Sequence, residues 1–265
     1  MIPAWPRAGG EPAASARIRC SPEDFRVDEE LGFEPDGSGE HAFLQLRKRR
    51  LNTQDLVQRV SELSGIAARD IGFCGMKDRE AVTSQWLSVR MAGRAEPDWG
   101  QLAVPGEVEL LAVTRNGRKL KRGVHRANRF AITLREIEGE WRELEQKLQR
   151  VCRAGVPNYF GEQRCGRGGS TLQQARRWMA GGGRRLSRHR RGLYLSALRA
   201  LLFNALLAER VRAGDWDRVT DGDVCMLQGS RSLFSCASAD AELAARAAAG
   251  DLHPGLPLWG RGEPL

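Results

Sequence analysis

The strongest constraint on the fold of this chain is a change in the period of its apolar residues part-way along it. Phe25/Val27, Ala42/Leu44/Leu46, Leu87/Val89/Met91 and Phe130/Ile132/Leu134 recur at every second position, and Val108/Leu110/Ala112 does so more weakly. A period of two puts such residues on one side of a strand, so these segments read as strands with one face buried. Among them Leu56, Val57, Val60 and Leu63 fall at helical spacing, with Asn52 or Thr53 as the cap and Gly65 as the stop. Strands with few helices and no regular βαβ alternation predict an α+β domain built on an antiparallel sheet. From Gly139 onward the spacing turns helical. Trp141, Leu144, Leu148 and Val151 form one series ending at Gly155 before Pro157, a second runs over Ser196–Val211, and an Ala-rich third spans Ala237–Ala249 with a cap near Ser238. The 265 residues hold one large core or two modest ones, and the change of period favours two, with a boundary near residue 154. The glycine clusters Gly166–Gly169 and Gly181–Gly183 read as mobile loops.

Charge narrows the class of partner. Lys and Arg number 42 against 33 acidic residues, a net charge of +9. The excess is patched: Arg115–Arg129 holds seven basic residues and no acid, and Arg164–Arg191 holds nine arginines and no acid. Such patches fit contact with nucleic-acid phosphates, and equally a solvated surface in an arginine-rich chain. The six cysteines form no C-x-x-C pair and have no histidine at zinc-finger spacing, so they read as reduced, mostly buried residues, with no metal expected. No uninterrupted apolar run reaches membrane-span length and the N-terminus lacks a secretory pattern, so the expected location is cytoplasmic, with no membrane partner.

The segment Ile71–Val89 sets a Lys77-Asp78-Arg79 triplet between a short apolar run and a strand. An aspartate between two cations has its anion favoured, which suits a nucleophile or a base. The same residue could equally accept backbone hydrogen bonds in a turn. Local physics leaves both readings open.

The segment closely resembles the active-site motif of TruD-type pseudouridine synthases, Gly-x-Lys-Asp-(Arg/Lys)-x-Ala-Val-Thr-x-Gln. Gly75, Lys77, Asp78, Arg79, Ala81, Val82, Thr83 and Gln85 match eight of its eleven positions. Ser21–Glu29 is similar to the family's N-terminal motif, Asn128-Arg-Phe130 to its Asn-x-Phe element, and Asn158–Arg164 to the opening of its inserted domain. Ser196–Asn204 and Asp221-Gly-Asp223 resemble stretches within that domain, and all the matches keep the family's order. The resemblance implies an enzyme that isomerises one uridine in tRNA, uridine 13 of tRNA-Glu, with no metal or organic cofactor. It implies that Asp78 is the catalytic carboxylate, that Phe25 and Asn128 contact the substrate nucleotide, and that Phe130 stacks on the uracil. Alternation alone favours Phe130 as a core residue of its strand. Lys77, Arg79, Arg118, Lys119, Lys121 and Arg122 become candidates for holding RNA phosphates near Asp78, and Arg184, Arg185, Arg188, Arg190 and Arg191 for a second grip.

The resemblance also carries departures. It implies a catalytic domain over residues 1–154 without its closing strands and an inserted domain over 155–265 that is cut short, with a monomer favoured. The basic partner of the catalytic Asp and a further stacking Phe, expected from a late strand, have no counterpart, so weak or no turnover and a tendency to self-associate are expected. The alternative is a catalytically impaired RNA-binding or RNA-chaperone protein derived from the family. A metal-dependent nuclease or a methyltransferase is disfavoured, since no carboxylate or His cluster has ligand spacing and no G-x-G-x-x-G loop follows a strand.

Overall fold

The computed structural model describes residues 3–181, 185–230 and 232–260. The chain divides into two compact units, one of Ala14–Gly139 and one of Met1–Ala13 with Glu140–Leu265. In the first unit the strands are β1 (Ala14–Arg17), β2 (Phe25–Glu30), β3 (His41–Arg49), β4 (Gly72–Phe73), β5 (Val82–Arg90), β6 (Val108–Asn116), β7 (Ala127–Ile132) and β8 (Arg135–Gly139), with one α-helix, α1 (Thr53–Ser64). The main sheet runs in the order β6-β3-β5-β2-β7, and β4 also pairs with β5. Neighbours are antiparallel except β2 and β5, which are parallel from Arg26 opposite Val82 to Asp28 opposite Ser84. A parallel pair needs a long crossover, and here β3, α1 and β4 supply it. The sheet is therefore mixed at one pair where an antiparallel one was expected.

Helix α1 has the expected ends. The Asn52 side chain accepts from the Asp55 N–H, and Gly65 closes the helix at φ 67°, a left-handed conformation that costs glycine little. Leu56, Val57 and Val60 pack on Leu44, Leu46, Leu87 and Val89 to form the main core. Each fully buried side chain of this size stabilises the fold by about 1.5–3 kcal/mol. The Phe130/Ile132/Leu134 row departs from expectation: Phe130 and Ile132 lie on the outer strand β7, Leu134 just beyond it, and all three are exposed.

The second unit is helical with a small sheet. Its helices are α2 (Trp141–Ala154), α3 (Ser170–Met179), α4 (Arg188–Ala213) and α5 (Ala241–Ala248), and β9 (Val224–Leu227), β10 (Leu233–Ser235) and β11 (Leu252–Gly255) pair in the order β10-β9-β11. The division falls before α2, not after it near residue 154. Residues 3–13 explain the shift, because Lys147 reaches the Glu11 carbonyl and the Glu140 N–H bonds the Ala13 carbonyl at 3.3 Å. Gly166–Gly169 is not a free loop. It forms short 3-10 turns that lead into α3, with Gly166 and Gly169 at φ 78°. Gly182, Gly183, Arg184 and residues 261–265 lie outside the described residues. By length and composition α4 is apolar enough to cross a membrane. Arg199 interrupts its middle, and its buried residues Tyr194, Ala197, Ala200, Asn204, Leu207 and Ala208 share one helical face. Tyr194 donates from that face to Gln174 of α3 at 2.7 Å, so this face of α4 meets α3.

Candidate active site

Asp78 lies on the loop joining β4 to β5, and the loop is fastened from several elements. The Lys77 N–H donates to Thr53 Oγ1 at 2.9 Å, and the Thr53 hydroxyl donates onward to Gln85 Oε1 at 2.9 Å. Lys48 Nζ donates to the Asp78 carbonyl at 2.8 Å. The Gly123 N–H bonds the Cys74 carbonyl at 2.8 Å, which brings the basic 117–124 segment against the same loop. At the loop's root Gly72 admits no side chain, since a Cβ would stand 2.5 Å from the Leu120 carbonyl oxygen.

The Asp78 carboxylate is about half exposed and forms an ion pair with Arg19 at 3.0 Å. Arg19 has a left-handed backbone, φ 58°, which is uncommon for a residue with a Cβ and costs energy that its surroundings must offset. Its guanidinium also lies 4.0 Å over the Phe25 ring. Phe25 in turn meets Phe130 edge-on at 6.0 Å. A continuous series of contacts thus runs from Asp78 through Arg19 and Phe25 to Phe130, whose ring is 56% exposed and open to a planar partner. Register adds Asn128. It pairs opposite Glu29 as Phe130 pairs opposite Val27, so the two side chains share a sheet face. Asn128 Nδ2 contacts His125 Nε2 at 3.1 Å, and its Oδ1 is buried without a partner.

The expected phosphate contacts divide. Lys77 is buried and bonded to Glu29 at 2.5 Å, so it is corrected from a candidate for RNA to an internal anchor. Arg79 is exposed, with only a loose 3.7 Å approach to Glu80. Arg118, Lys119, Lys121 and Arg122 are exposed and have no carboxylate partner among the described residues, and Arg122 covers the Phe73 ring at 4.5 Å. Lys119, Lys121 and Arg122 line a cleft shared with Gln54 and Gln58 of α1. In the second unit Arg185, Arg188, Arg190 and Arg191 are exposed.

A family model described as tRNA pseudouridine synthase D (TruD) matches residues 8–174 and 170–265. The chain belongs to the TruD family. A tRNA pseudouridine synthase D of Methylococcus capsulatus is 51% identical over 98% of this chain and 73% of its own length. One of Chromohalobacter salexigens is 47% identical over 98% of this chain and 75% of its own. A crystal structure of a Methanosarcina mazei protein assigned to TruD superposes with a TM-score of 0.72 at 19% identity, covering 95% of this chain and 74% of that one, and supports the fold.

Within this TruD-family site, sequence reading missed Arg19, Lys48, Glu29 and the Thr53–Gln85 pair. A cation was expected from a late strand, whereas the one beside Asp78 comes from the segment just before Ser21-Pro-Glu-Asp-Phe25. Lys48 had a readable signal, because it continues the inward row Ala42, Leu44, Leu46. Tertiary contact also gathers Glu29, Cys74 and His125, with ligand atoms within 4.8 Å of one another. Glu29 already accepts from Lys77 Nζ and from the Trp86 N–H, and burial pushes the Cys74 thiol up to about 12. A cation there would have to displace an ammonium and deprotonate a reluctant thiol. The cluster is better suited to anchoring Lys77.

Proposed function

We propose that this chain converts uridine to pseudouridine in tRNA, with Asp78 as the reacting carboxylate. The observation that carries the reading is the contact series from Asp78 through Arg19 and Phe25 to the open ring of Phe130. An enzyme that acts on C1′ and C5 of a nucleotide must take the base out of the stack. An exposed aromatic recovers about 1–3 kcal/mol by stacking on the extruded base, the role assigned to Phe130. The unpartnered Asn128 Oδ1 is a buried acceptor suited to the uracil N3–H. Arg19 holds the Asp78 carboxylate in place through its 3.0 Å ion pair. Asp78 then attacks C1′ or C6, or withdraws a proton. The bond from N1 to C1′ breaks, the uracil turns and C5 bonds to C1′, any bond formed to Asp78 breaking before the product leaves, and C5 gives up a proton while N1 takes one up. The atoms of the nucleotide are conserved and nothing is oxidised or reduced, so the reaction calls for no cofactor. The family's pattern supports uridine 13 of tRNA-Glu as the target, the unit of residues 14–139 as the catalytic part, and the helical unit as the inserted part. The exposed cations of the 117–124 segment hold phosphates and orient the RNA without reading its sequence.

The decisive experiment incubates the chain with unmodified tRNA transcript and maps pseudouridine, with Asp78→Asn as the control. Modification by the wild type alone is expected. Modification that persists in Asp78→Asn overturns the mechanism, and tRNA binding without modification by either protein favours a non-catalytic RNA-binding role.

A further inference from the structure

The inward row of β3 runs from Ala42, Leu44 and Leu46 in the apolar core to Lys48, which is wholly buried. Lys48 stands opposite Thr83 of β5 and Val108 of β6, so strands on both sides fix its backbone. Here the layer beneath α1 turns from apolar to polar, since Thr53, Thr83 and Gln85 are also fully buried. Among the described residues Lys48 has no carboxylate at ion-pair distance, and its ammonium makes one hydrogen bond, to the Asp78 carbonyl. A buried charge without a salt bridge is costly, and an apolar residue would serve stability at least as well. The charge sits against the proposed reactive residue.

We propose that Lys48 is a positioning residue for Asp78, its ammonium clamping the backbone of the reactive residue through the Asp78 carbonyl. The inference rests on the role of Asp78 given under Proposed function. Burial pushes Lys48 down to about 8, with Asp78 opposing the shift and Lys77 adding to it. Lys77 is itself balanced by Glu29. The other charges nearby are engaged elsewhere: Arg47 and Arg49 alternate to the opposite row of β3, paired with Glu109 and Glu23, and Arg59 of α1 pairs with Glu107. The clamp therefore loosens as pH rises through about 8, giving turnover an alkaline limb.

Two measurements on the full chain test this. Carbon-13 NMR of the Asp78 backbone carbonyl needs no turnover: its resonance should step near pH 8 in the wild type and stay flat in Lys48→Met. Steady-state assays on tRNA transcript should give Lys48→Met a kcat lower by about tenfold or more with KM within about twofold, since a positioning contact acts on the chemical step. Lys48→Arg, which does not titrate in this range, should keep more of the rate than Lys48→Met and lose the alkaline limb. A wild-type carbonyl that does not move between about pH 7 and 10, or a folded Lys48→Met that turns over within about twofold of wild type, overturns the proposal. A carbonyl step without pseudouridine formation by the wild type sinks the functional reading instead and upholds the contact between Lys48 and Asp78.

Discussion

At the scale of single residues, the two cations that touch Asp78 differ in what they contribute. Arg19 and Asp78 are each more than a third exposed, and surface ion pairs of this kind add about 0–1 kcal/mol to stability. Arg19→Ala is therefore expected to leave the melting temperature nearly unchanged while lowering kcat about tenfold or more, as read by parallel thermal melts and turnover assays. Lys48 behaves in the opposite sense. Its folded value lies below the ordinary lysine range, so the unfolded chain binds the proton more tightly. Stability attributable to this group is thus lowest below about pH 8 and rises as pH climbs toward the unfolded value. Urea unfolding of wild type against Lys48→Met should show the wild type gaining ground from pH 8 upward, over the range in which its activity declines. A gap that is flat across that range contradicts the assignment. Asp78 itself was legible from sequence only as a carboxylate among cations. Arg19 was not, because a residue 59 positions away reaches it through a turn that no local pattern encodes.

At the scale of elements, the 3-10 turn that follows the Arg19 segment is held by charge. Asp24, in the 3-10 turn Pro22–Asp24, accepts from Arg135 of β8 through both oxygens at 2.8–3.0 Å and from the Ser21 N–H at 3.0 Å. The Arg135 hydrogen bonds pull the Asp24 carboxyl down to about 2. A depressed carboxylate stabilises above its unfolded value and loses that contribution as pH falls through its folded one. The stability gap between wild type and Arg135→Ala should therefore be at its full width from about pH 5 upward and close toward pH 2, followed by urea unfolding at each pH. A gap that widens on acidification excludes Asp24 as its source. The elements legible in sequence were those with long uniform periods: β3, β5, β6 and α1, whose cap and stop were both anticipated. The strands β9 to β11 were not, because segments of three or four residues are too short to display a period and take their conformation from tertiary pairing, and the ten-residue helix α3 also went unread. Helix α2 was recognised, but its spacing says nothing of which core receives it, and the compact units divide before it.

At the scale of the whole molecule, the net charge of +9 and its concentration in two acid-free windows govern the encounter with RNA. Every cation withdrawn from a phosphate takes about 0.7–0.9 off the slope of log affinity against log salt. The Lys119→Ala/Lys121→Ala/Arg122→Ala triple variant should weaken tRNA binding and flatten that slope by about 2–3, measured by filter binding across a salt series. An unchanged slope removes these residues from the interface. The parallel pairing of β2 with β5 has a consequence of another kind, in the order of events during synthesis. Strand β2 fills the place beside the first half of β5, with β4 taking the second half, so the 74–81 loop acquires its anchors at Glu29 and its neighbour Phe25 only when β2 is inserted. Yet β2 leaves the ribosome more than fifty residues before β5 and about a hundred before β7. At roughly 5–20 residues per second it waits some seconds without either neighbour. The run Asp28-Glu29-Glu30 gives the nascent strand a solubilising charge through that interval, and one of those carboxylates, Glu29, later becomes the buried anchor of Lys77. The same side chain guards the strand before the fold closes and fixes the reactive loop afterwards.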